Sequence, residues 1–101
     1  MATRLINSAG KVTLLRAHDV GSAAGPPGDR IDVEAVVQIS SHPDRSMGFQ
    51  LRDDGNRVAR QAMFDLLRDA FTHDFTVHLD YSIDLDAGKK NGVILRVWLT
   101  K

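Results

Sequence analysis

The chain has 101 residues, 43% hydrophobic and 26% charged, with 13 Lys and Arg against 13 Asp and Glu. That suffices for one globular domain, residues 1–101, and not for two. Zero net charge argues against a dedicated nucleic-acid binder, which draws affinity from a basic excess, and it leaves little repulsion between copies. The absence of cysteine excludes disulfides, thiolate metal sites and thiol nucleophiles.

No run reaches the roughly 20 apolar residues of a membrane-spanning helix. The first residues offer only Leu5-Ile6 as an apolar patch, which is not the pattern of a signal peptide. A cytoplasmic protein without a membrane span is the expectation.

Lys11 to Val20 reads as a first strand. Val12 and Leu14 set one apolar phase, then Leu15 and Ala17 take it over, as a β-bulge or sharp bend would produce. Gly21 to Asp29 is a loop by its glycines and prolines. Arg30 to Ser40 is the second strand, with Ile31, Val33, Ala35, Val37 and Ile39 on one face. Val36 falls on the other face among Asp32, Glu34 and Gln38. After a turn at His42-Pro43-Asp44, Met47, Phe49 and Leu51 mark a short third strand.

Asp53-Asp54-Gly55-Asn56 offers capping side chains, and then the period changes. Ala62, Met63, Leu66, Leu67, Ala70 and Phe71 form one stripe of a helix from about Arg57 to Phe71. Arg57, Arg60, Gln61, Asp65 and Arg68 form its wet side. Phe75, Val77, Leu79 and Tyr81 predict the inward face of a fourth strand. Asp86 to Gly92 predicts a hairpin connection, with positive φ at Asn91-Gly92. Val93, Leu95, Val97 and Leu99 predict the inward face of a fifth strand, which leaves Ile94, Arg96 and Trp98 on its outside.

The order β-β-β-α-β-β, with a bent first strand and the helix between strands three and four, predicts a mostly β domain with one helix. Its expected form is an OB-fold, a five-stranded, partly open β-barrel. The rival is an α+β sandwich with the helix across one open sheet.

The stretch from Ala62 to Tyr81, with its paired leucines leading into the V-x-hydrophobic pattern of Val77-His78-Leu79, resembles the helix-to-fourth-strand segment of OB-fold B subunits of bacterial A–B type toxins, the subtilase-cytotoxin kind especially. The resemblance covers about 40 residues at the level of pattern. It implies a ring pentamer with helices around a central pore and glycan sites outside. This chain departs from the family in having no cysteine pair and no export-signal pattern expected from its first residues, and no glycan-binding position carries over.

Chemistry-bearing motifs are sparse. His78 and Asp80 share a strand face, a geometry open to a metal or an acid–base pair, yet also that of any polar strand face. The Asp53-Asp54 pair reads as turn and cap residues, and the Asp84/Asp86 pair lacks the further acidic ligands that a calcium loop needs. Lys89 and Lys90 could hold an anion at a hairpin tip, or simply keep it soluble. Gly25-Pro26-Pro27-Gly28 could present a rigid recognition edge, or only close a long connection. No phosphate loop, dinucleotide turn or nucleophile elbow is present. A non-enzyme without metal, cofactor or catalytic residues is therefore expected.

The sharper signal is Val36, Ile94 and Trp98 opposite the inward positions, with Arg96, Glu34 and Arg52 as a polar rim. An apolar cluster around a tryptophan on a small barrel predicts a subunit interface first, with burial under a loop or the N-terminus and a ligand-stacking platform as the alternatives. The expected function is a non-catalytic OB-fold binding and assembly module, a homo-oligomer with a glycan or protein ligand. The alternative is single-stranded nucleic-acid binding, which needs stacking aromatics beside cations.

Overall fold

The computed structural model describes residues 4–101. Six strands and one helix follow in the order β1 Arg4–Gly10, β2 Val12–Ala17, β3 Ala35–Ile39, β4 Met47–Phe49, α1 Arg57–His73, β5 Thr76–Ile83 and β6 Gly92–Thr100. The domain is thus mostly β with one helix. Its strands form one mixed sheet in the order β1-β5-β6-β4-β3-β2, antiparallel except for the β4–β6 pair.

The sheet is open in its hydrogen bonding, where the sequence predicts a five-stranded barrel. Its two edges, β1 and β2, are consecutive strands separated by Lys11 alone. Arg4–Gly10 was the element that alternation did not reveal. Its inward positions are half-buried Ile6 and buried Ser8, and only one of these is apolar. Ser8 is tolerated inside because its hydroxyl meets the Tyr81 hydroxyl at 2.9 Å, which also accepts from Arg45 Nη1 at 3.1 Å.

The phase change in the expected first strand is present. The β2–β3 register shifts between Val12 and Leu14, so Val12 and Leu15 face inward while Leu14 is exposed. The expected second strand shortens to Ala35–Ile39. Val33 and Ile31 leave its phase and pack with Val36 and Ala24 beneath the preceding loop. That loop carries its own two-residue bridge, Ala24 to Ile31.

The main core joins Ala35, Val37 and Ile39 to Met47, Phe49, Val77, Leu79 and Tyr81, with Leu67 and Ala70 from the helix. Strict alternation along β5 puts Val77, Leu79, Tyr81 and Ile83 inside. Gly48 lies where strands approach closely. A Cβ there would sit 2.5 Å from the Ala35 carbonyl oxygen and 2.6 Å from Val33 Cγ2. Gly48→Ala should therefore destabilise the fold by about 2 kcal/mol, as overpacking does. Urea unfolding with an unchanged m-value checks it.

The helix runs two residues beyond the predicted end and stops at Asp74, whose φ of 59° is left-handed. Its start differs from the capping expectation. Asn56 is the N-cap and makes no side-chain cap bond; Asp54 instead accepts from the Asn56 amide at 2.8 Å. The stripe is also narrower than predicted. Leu67 and Ala70 are buried and Met63, Phe64 and Leu66 pack against the core, but Ala62 and Phe71 face outward.

Between β5 and β6 a short 3-10 turn, Leu85–Ala87, is capped by Asp84 and ends at Gly88 with φ 72°. Positive φ thus falls on Gly88 and not on Asn91-Gly92. Asn91 has a different task. Its side chain accepts from the Ser46 amide at 3.1 Å and donates to the Asp29 carbonyl at 2.9 Å, which ties three loops together.

Candidate functional site

The β1–β5–β6 part of the sheet has an outward face that no other described element covers. Alternation along β5 places Thr76, His78, Asp80 and Ser82 on it, and the strand registers supply their neighbours. Asn7, Asp80 and Arg96 form one cross-strand row, Ala9, His78 and Trp98 the next, and Leu5, Ser82 and Val93 a third.

The rows are internally bonded. His78 stacks on Trp98 with ring centroids 5.1 Å apart and planes 5° from parallel. His78 Nε2 lies 2.8 Å from Thr100 Oγ1. Asp80 accepts from Asn7 Nδ2 at 2.9 Å and faces Arg96 Nη1 at 3.3 Å. His78 and Asp80 thus serve different partners, and neither orients the other for proton transfer. Among the described residues no group of three His, Asp or Glu could hold a metal ion.

Of the four residues predicted for the interface, two meet here. Arg96 and Trp98 lie on the outward face. Val36 is buried under the Ala24–Ile31 loop, because that loop folds back over the outer side of β3. Ile94 belongs to the main core. The cause is a bulge: Tyr81 pairs with Ile94 and Asp80 with Arg96, so Leu95 is the extra residue and the phase of β6 flips there. Leu95, predicted inward, is 61% exposed.

Glu34 and Arg52, read as a polar rim, are instead an interior clasp. Arg52 Nε and Nη2 reach Glu34 Oε1 and Oε2 at 2.8 and 2.9 Å, and the Leu51 amide donates to Oε1 at 3.1 Å. Arg52 also reaches Asp32 at 2.7 Å. These bonds join the segment before β3 to the residues after β4. The Arg52 hydrogen bonds hold the Glu34 carboxyl below its ordinary value although burial opposes them, and the Leu51 amide adds to the lowering.

The hairpin tip is engaged as well. Lys89 Nζ donates to the Gly28 carbonyl, and the Lys90 amide donates to Asp29 Oδ2 at 2.8 Å. The glycine-proline loop is therefore pinned to the β5–β6 connection and does not stand free as a recognition edge. A cleft of about 210 Å3 lies between the helix start and the β6 bulge, lined by Asn56, Ala59, Arg60, Met63, Ile94 and Leu95. It is smaller than the roughly 300–1,000 Å3 of a small-molecule site. A larger groove of about 440 Å3 is lined by Arg57, Val58, Gln61, Ala62 and Asp65, all on one helix, so no second element encloses it.

Sequence reasoning missed Leu5 and Asn7 on this face because their strand was not recognised. The available signal was the Leu5-Ile6 pair, which only became a strand through pairing with Ser82 and Tyr81. No family model, curated protein or solved structure matches the chain.

Proposed function

We propose that the chain is a non-catalytic binding and assembly module of the OB type that associates with copies of itself through the β1–β5–β6 sheet. The observation that carries this reading is the outward face that holds exposed Leu5, Arg96 and the His78–Trp98 stack, beside a strand, β1, whose one strand partner among the described residues is β5. Aromatic, arginine and large apolar side chains together are the composition of contact surfaces.

Three features support the OB assignment. The two sheet edges arise from one stretch interrupted at Lys11, as a single bent first strand would provide. The one parallel pair joins the strand before the helix to the last strand. The helix lies between the third and fourth strands when β1 and β2 are counted as one. The oligonucleotide-binding use of this fold relies on the face of strands two and three. Here the outer side of β3 is occupied by the Ala24–Ile31 loop, which favours assembly over nucleic acid.

The toxin-subunit resemblance implies a ring of five, with a glycan or protein as ligand, whereas an unpaired edge favours a pair. Size-exclusion chromatography with light scattering at micromolar concentration tests the reading. A mass above the 11.1 kDa of one chain is expected, and a strictly monomeric species would sink it.

A further inference from the structure

We infer that two copies meet edge to edge, β1 against β1, in an antiparallel pairing about a two-fold axis. The inference rests on the self-association reading and names its contact. β1 is seven residues long, and β5 is its only strand partner among the described residues. It carries no lysine, no proline and no bulge in its register with β5, and its one charge, Arg4, lies at its first residue and is paired with Asp86 at 3.2 Å.

An exposed row of backbone donors and acceptors is satisfied best by another strand, and this strand is suited to itself. Its outward side chains are Leu5, Asn7 and Ala9, all uncharged. With Asn7 opposite Asn7 of the partner copy, each Leu5 lies across from an Ala9. A large side chain then covers a small one twice, and no like charges are opposed. Leu5, 64% exposed in the single chain, gains a neighbour, and the pairing stops short of Gly10, which packs against Ser40 and Ser41. The outward rows of both copies join into one continuous face, with a His78–Trp98 stack on each side of the axis.

A seven-residue edge alone buries less than the about 1,200 Å2 of a standard interface, so the pair should form in the micromolar range. The test is sedimentation of wild type, Leu5→Glu, Ala9→Lys and the double variant over about 10–500 µM. The wild type should approach twice the 11.1 kDa of one chain. Each single variant should weaken dimerisation about tenfold or more, since a lone charge would face an apolar side chain across the axis. The double variant, which sets opposite charges face to face twice, should recover most of the affinity.

Circular dichroism checks that each variant keeps its fold, which is expected because both side chains point away from the core. Hydrogen exchange adds a second reading: β1 amides facing away from β5 should gain protection as concentration rises. Single variants that dimerise like the wild type, or a double variant no better than either single, would overturn the edge pairing. A mass of five chains would overturn it while leaving self-association standing, and a monomer at every concentration would remove both.

Discussion

Replacing Glu34 with alanine should lower the unfolding free energy by about 3 kcal/mol, measured by urea denaturation. The Glu34 side chain is 4% exposed and takes three hydrogen bonds, two from Arg52 and one from the Leu51 amide. Removing it leaves that amide and a partly enclosed guanidinium without their main partner. Arg52 keeps Asp32 at 2.7 Å, which holds the loss toward the lower end of the range for broken buried pairs. In a domain with about 5–15 kcal/mol in total, this is a large fraction.

The same clasp gives a pH dependence with a definite sign. The carboxyl of Glu34 ionises more readily in the folded chain than at its ordinary value of 4.5, chiefly because of the Arg52 hydrogen bonds. A lowered folded value stabilises the fold fully above about pH 4.5, and that contribution fades as pH falls through the lowered value. The stability difference between wild type and Glu34→Gln should therefore be flat above about pH 5.5 and shrink below 4.5. A difference that does not change with acidification would show that the ion pair is not its source.

How far the sequence foretells this fold depends on how one-sided each strand is. β5 was legible because Val77, Leu79 and Tyr81 alternate with His78, Asp80 and Ser82, so only one phase buries apolar area. β6 was not, because Val93-Ile94-Leu95 is apolar on both faces and either phase satisfies the local pattern. The bulge at Leu95 is decided by pairing with β5, which no window along the chain contains. β3 was half legible: its core face was right, but Val36 also lies inside, covered by a loop whose packing depends on Ala24 and Ile31. The candidate site inherits these errors. Arg96 and Trp98 lie outward as their spacing predicts, while the loop and the bulge remove Val36 and Ile94 from the surface that their spacing predicts.

The helix offers the sharpest separation between pattern and packing. Leu67→Ala should cost about 3–4 kcal/mol, because Leu67 and Ala70 are the only fully buried residues of α1 and only Leu67 has a large side chain. Phe71→Ala, in the same predicted stripe, should cost well under 1 kcal/mol, because Phe71 is 53% exposed. Denaturant unfolding of the two variants makes the comparison, and comparable losses would contradict this account of how the helix docks. The mode of failure should be local first. Met63, Phe64 and Leu66 hold the helix by partial contacts, so without the Leu67 anchor its amides should exchange through an opening smaller than global unfolding. The strand amides of Val77, Leu79 and Tyr81, deep in the sheet, should still require the whole domain to open. Loss of protection in α1 ahead of β5 would place the helix as the least stable cooperative unit, docked on a sheet whose strands hold one another.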